Sequence, residues 1–175
     1  MTIALPSVQQ YAAGSFGLGA NTMVAVTNGT SDTFLAFKNL CGYLVIKLYG
    51  EGTVKNISFK GNNGEKIAGS AAVTASYDSE PNIAMASSAT EEITLDCGSG
   101  VALGSTSQTA TEFWFCIRPV TFSKGFSIKV TNTYGWAMEK SISSSRTISR
   151  NTINPMSALE VEFTEPPIPV PEMVD

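Results

Sequence analysis

The chain contains no histidine, so any chemistry it performs falls to carboxylates, thiols, hydroxyls and aromatic rings. Without imidazole there is no Ser-His-Asp or Cys-His arrangement, no His-ligated zinc and no imidazole general base. Cys41, Cys97 and Cys116 are far apart in sequence and none lies in a C-x-x-C pair, too few for an all-thiolate tetrahedral zinc site. Each sits in an apolar, strand-like run, where a thiol behaves as a small hydrophobe. Buried free thiols are therefore expected, with a Cys97 to Cys116 bridge as the alternative. The segment Gly61 to Lys66 lacks the G-x-x-x-x-G-K-[ST] spacing that lets backbone amides cradle phosphates.

Paired carboxylates are the acid–base chemistry that survives, since a glycosidase needs two of them about 5 to 9 Å apart. Glu91 and Glu92 are adjacent, but neighbours on a strand point to opposite faces. Asp78 with Glu80, or Asp96 beside Cys97, offers oxygen ligands for calcium without the dense D-x-D-x-D loop that such a site needs. The chain is accordingly expected not to be an enzyme. No catalytic, cofactor-binding or metal-binding residue is assigned, and no cofactor is expected. Exposed aromatics are the remaining resource: Trp114, Trp136, Tyr134 and Tyr49 are candidates for a sugar-stacking platform. That use predicts a coplanar pair of exposed rings, whereas an aromatic inside a strand more often packs a core.

The elements that position these residues repeat every two residues. Tyr43 to Leu48 reads as a buried strand ending at Gly50-Glu51-Gly52, and Val54 to Lys60 places Ile57 and Phe59 on one face before Gly61-Asn62-Asn63-Gly64; a hairpin is the simplest inference. Ile93, Leu95 and Cys97 alternate with polar residues. Phe113 to Ile117 is apolar on both faces and is expected at a sheet centre. Phe126, Ile128 and Val130 alternate with Ser127, Lys129 and Thr131, and Asn132 to Gly135 leads into Trp136-Ala137-Met138 as a second hairpin. Leu159, Val161 and Phe163 alternate with Glu160 and Glu162 as a last strand. The best short-helix candidate is near Asn82 to Ser87, and Arg146 and Arg150 flank a Ser-rich, strand-poor segment.

At 175 residues the chain is long enough to bury about 70% of the surface of its unfolded form. Charged residues make up 15%, which suits hydroxyl-rich exposed faces and an extracellular module. Five of the 15 acidic residues follow position 159 with no Lys or Arg among them, so the rest is near neutral. No basic patch of the kind nucleic acid requires is present. Neither a secretory leader nor a run of about 20 apolar residues is found, so no membrane span is expected. Residues 1–164 are expected to form one all-β sandwich of about seven or more antiparallel strands with little helix. Residues 165–175 are expected to be a Pro-rich acidic tail or linker, because proline supplies no N–H to a ladder.

Several blocks carry a resemblance to a known family. Leu5-Pro6 with Gln9 and Tyr11, Met23-Val24-Ala25, and Phe37-Lys38-Asn39-Leu40-Cys41-Gly42-Tyr43-Leu44 open the pattern. Ile57-Ser58-Phe59, Gly61-Asn62, Gly64-Glu65, Ala68-Gly69 and Ile93-Thr94-Leu95 continue it, followed by Phe113 to Phe115, Arg118-Pro119, Gly125-Phe126, Arg150-Asn151 and Ile153. In order and spacing they resemble the fimbrillin family, the pilins and pilin-like surface lipoproteins of gut and oral anaerobic bacteria, over roughly residues 5–163. The resemblance implies a transthyretin-like Greek-key sandwich, a cell-surface location at the outer membrane or in a fimbria, and action as a pilus subunit or adhesin. Its partners would be other fimbrial subunits or host and bacterial surface receptors, joined by β-strand addition that needs no catalytic residue. A glycan-binding module of a surface nutrient-capture system is the alternative, with glycans as ligands. The chain departs from the family in having room for one domain rather than two, and no lipobox cysteine precedes Met1.

Overall fold

The computed structural model describes residues 1–166; the proline-rich tail expected from position 165 lies, after Pro166, outside the described residues. The strands are β1 (Thr2–Leu5), β2 (Val8–Ala12), β3 (Ser15–Phe16), β4 (Met23–Val24), β5 (Lys38–Asn39), β6 (Gly42–Gly50), β7 (Thr53–Gly61), β8 (Gly69–Thr74) and β9 (Asn82–Met85). They continue as β10 (Glu92–Ala102), β11 (Thr111–Ile117), β12 (Val120–Phe122), β13 (Phe126–Asn132), β14 (Ala137–Ile142), β15 (Arg146–Ile148), β16 (Ile153–Pro155) and β17 (Leu159–Val161). One 3-10 turn, Ser107–Thr109, is the helical content of the described residues. The fold is all-β.

Two sheets make the sandwich. A broad six-stranded sheet runs β14-β13-β7-β10-β2-β3, and an inner sheet centres on β6, with β11 on one side and β16 and β17 on the other. Most pairs are antiparallel, but β2 runs parallel to β10, and β16 and β17 run parallel to β6. A third sheet, β1-β8-β9, and the strand pair β4-β5 complete the amino-terminal half.

Alternation explains the layers. Leu44, Ile46 and Leu48 of β6 and Phe113, Phe115 and Ile117 of β11 meet Ile57, Phe59, Ile93, Leu95, Phe126, Ile128 and Val130 of the broad sheet in one apolar cluster. Phe59 is fully buried and its ring centroid lies 5.7, 5.4 and 4.9 Å from those of Phe115, Phe122 and Phe126. Burial of one such side chain stabilises the fold by about 1.5–3 kcal/mol. On the reverse face of the inner sheet, Tyr43, Cys116 and Trp114 pack with Leu5, Ala20 and Cys41 and with Ile3, Ile83 and Met85. Three layers result, and the inner sheet is covered on both faces.

Several expectations are corrected here. β6 and β7 do not form a hairpin: β6 pairs with β11, and β7 with β10 and β13. Gly50 and Gly52, at φ +135° and +118°, turn the chain across from the inner sheet to the broad one, a conformation L side chains rarely adopt. The apolar run Phe113–Ile117 is not central, because β11 pairs with β6 alone and its apolarity serves two packing layers. Asn82–Met85 is a strand rather than a short helix, with Ile83 and Met85 turned toward the amino-terminal cluster. Arg146–Ile148 likewise forms a strand, paired with β12, so that segment is not strand-poor.

Candidate functional site

Of the four candidate aromatics, the structure brings two together. Tyr134 and Trp136 flank Gly135 in the tight turn between β13 and β14, 84% and 39% exposed, with ring centroids 6.4 Å apart. Their planes are tilted by 49°, so the expected coplanar pair is not formed. Trp114 is half-buried on β11 against the amino-terminal cluster, its Nε1 donating to Glu112 Oε2 at 3.2 Å. Tyr49 is half-buried at the end of β6. The parallel-stacked pair among the described residues is Phe16 with Tyr43, tilted by 8°, and it belongs to the packed layer.

The carboxylates singled out by sequence are dispersed. Glu91 pairs with Lys66 at 3.0 Å, while Glu92 accepts from Ser58 Oγ at 2.9 Å. Glu80 is paired with Arg150, which holds its carboxyl below the usual range, and Asp96 accepts from the Gly98 N–H at 2.9 Å. Arg150 also donates to the Asn39 carbonyl at 3.1 Å, so it fastens two loops rather than standing free in solvent. No group of three or more metal-ligating side chains occurs among the described residues. All three cysteines are free and buried. Burial pushes Cys97 and Cys116 up to about 12, with Asp96 adding to the first and Cys41 to the second.

The sheet edges hold the most consequential geometry. At the outer side of the broad sheet, Thr164 meets the start of β14: the Ala137 N–H donates to Thr164 O at 3.1 Å and the Thr164 N–H donates to Ala137 O at 3.0 Å. Backbone groups alternate along a strand, so those of Glu139 and Ser141 face the same open side. Among the described residues they have no backbone partner there. Beside this edge runs a groove of about 410 Å³, with Met138 and Leu159 as its apolar residues and Glu139, Lys140, Glu160 and Glu162 as its charged ones. At the turn end it adjoins a wider cleft of about 960 Å³, whose lining includes Asn132, Tyr134, Trp136, Glu160, Glu162 and Phe163.

The free edge of β11 has the opposite character. Gln9, 3% exposed, donates from Nε2 to Cys116 O at 2.7 Å and accepts from the Cys116 N–H on Oε1 at 2.9 Å. One side-chain amide thereby takes the place of a neighbouring strand's peptide. Sequence reasoning missed this residue. The available signal was a buried-phase amide: Gln9 shares its strand face with Tyr11, which packs against the main core.

A shallow depression on the outer face of the broad sheet carries Lys60, Lys129 and Lys140 against Glu92 and Glu139, with Lys129 paired to Glu139 at 3.2 Å. No helix among the described residues is long and apolar enough to cross a membrane. Compared with known proteins, the chain matches no family model, and no curated protein is significantly similar to it.

Proposed function

We propose that this chain is a fimbrillin-like cell-surface protein, a pilus subunit or adhesin that works by pairing β-strands with a second subunit. The observation that supports it is the edge of β14, where the backbone groups of Glu139 and Ser141 have no backbone partner among the described residues, beside a groove lined by Met138, Leu159 and charged side chains. Ladder hydrogen bonds supply affinity in strand addition, and alternate side chains entering pockets fix the register. The short strand β1 adds to the case. It is paired on one side, with β8, and sends Ile3 and Leu5 into the amino-terminal cluster, as an exchangeable strand would. A transthyretin-like topology and anchorage at the outer membrane or in a fimbria belong to the same proposal.

Sedimentation and negative-stain microscopy of the full chain, with adherence of cells displaying it, test this reading. Concentration-dependent oligomers or filaments are expected, weakened by Glu139→Pro, which removes an outward N–H without breaking a bond to β13. A chain that stays monomeric at millimolar concentration and leaves adherence unchanged would sink it.

A further inference from the structure

The cleft under Tyr134 and Trp136 holds a side-chain amide fixed in orientation by the turn above it. Asn132 is 6% exposed, and its Oδ1 accepts from the backbone N–H groups of both Tyr134 and Trp136 at 2.9 Å. Those two bonds fix the amide orientation, since only oxygen can accept them. Its Nδ2 therefore points away from the turn, and makes no hydrogen bond among the described residues although the residue lines the cleft. The Nδ2 is open to the cleft rather than sealed in, so this donor, held in one orientation by the turn, is available to an acceptor on a ligand.

The rest of the lining defines that acceptor's chemistry. Tyr134, Trp136 and Phe163 offer apolar faces, Glu51, Glu160 and Glu162 offer hydrogen-bond acceptors, and no Lys or Arg lines the cleft. Neither Glu160 nor Glu162 is in an ion pair among the described residues. An anionic ligand would meet three carboxylates unfavourably, and a simple cation would make no use of the oriented Asn132 donor. A sugar ring satisfies all three demands, because its hydroxyls both accept and donate and its C–H face stacks on aromatic rings.

We propose that this cleft binds a neutral glycan, stacked on Trp136 and Tyr134, with Asn132 Nδ2 donating to a hydroxyl oxygen and Glu160 and Glu162 accepting from hydroxyls. Because the rings are tilted by 49° rather than coplanar, each would stack on a separate sugar face. The cleft shares Glu160 and Glu162 with the groove beside the β14 edge, whereas Asn132, Tyr134 and Trp136 do not line that groove.

The test is an array of neutral, sialylated and sulfated oligosaccharides probed with the full chain, then calorimetric titration of the best neutral ligand and of penta-lysine. Neutral glycans are expected to bind in preference to acidic ones. Trp136→Ala should weaken binding about tenfold, the loss of one stacking face. Tyr134→Ala, at an exposed position, and Asn132→Asp, which keeps the turn acceptor but removes the donor, should each weaken it with the fold intact by circular dichroism. Absence of any neutral ligand at millimolar concentration, binding indifferent to all three variants, or binding of penta-lysine alone would overturn the proposal.

Discussion

At β11 and at β14 the same problem, a strand with one unpaired side, has been met in opposite ways. The β11 edge is closed from within by a single buried amide, Gln9, bonded to both backbone groups of Cys116. At β14, Thr164 closes the first rung alone, and Glu139 and Lys140 stand exposed on the remainder. Charges on an exposed edge discourage indiscriminate pairing while leaving the backbone accessible. A sheet edge is thus not inherently sticky or inert. The side chains beside it decide whether it is part of the interior or a surface for a partner.

The largest expected effect lies where the two sheets share a core: Phe59→Ala should cost about 3–5 kcal/mol in urea denaturation, and a smaller loss would mean that its aromatic neighbours collapse into the space. Next comes the sealed edge. Gln9→Leu leaves the Cys116 N–H and C=O unpaired in a buried layer and should cost about 3 kcal/mol, with increased aggregation; an unchanged midpoint would show that the amide seals nothing. Thiol chemistry sharpens the same contrast. Cys97 and Cys116 are raised by burial from an ordinary 9.0 to about 12, so the unfolded chain ionises first. The stability they confer is complete below pH 9 and drains away as pH climbs toward 12. Iodoacetamide at pH 8 should label Cys116 slowly in the native chain and faster in Gln9→Leu. The smallest effect on stability belongs to the open edge: Glu139→Val with Lys140→Val should shift it by no more than about 0.5 kcal/mol yet raise self-association in sedimentation. Equal association before and after would erase the distinction between the edges.

Sequence periodicity reported faithfully on strands with one wet face. Phe126 to Thr131 and Ile93 to Cys97 are strands with the expected residues inside, because burial on one side writes itself as alternation. It reported poorly on ladder position. Phe113–Ile117 is apolar on both faces because two layers cover it, and that says nothing about how many neighbours it bonds. The segments 43–48 and 54–60 were each legible, but their connection was not, since a glycine-rich turn serves a hairpin or a crossing between sheets equally well. In the candidate cleft, Tyr134 and Trp136 were visible as exposed aromatics beside a turn. Asn132 and Gln9 were not, because the role of an amide depends on atoms far away in the chain that it faces.

The register of β6 has a consequence for how the molecule comes into being. Its pairing partners are residues 111–117, 153–155 and 159–161, so a strand made early waits for segments made much later. Pairings so distant in sequence form slowly, and an unfinished apolar strand is an aggregation hazard meanwhile. A chain emerging amino-terminus first from a ribosome stays incomplete until the residues near 160 arrive, which places a premium on a holding chaperone.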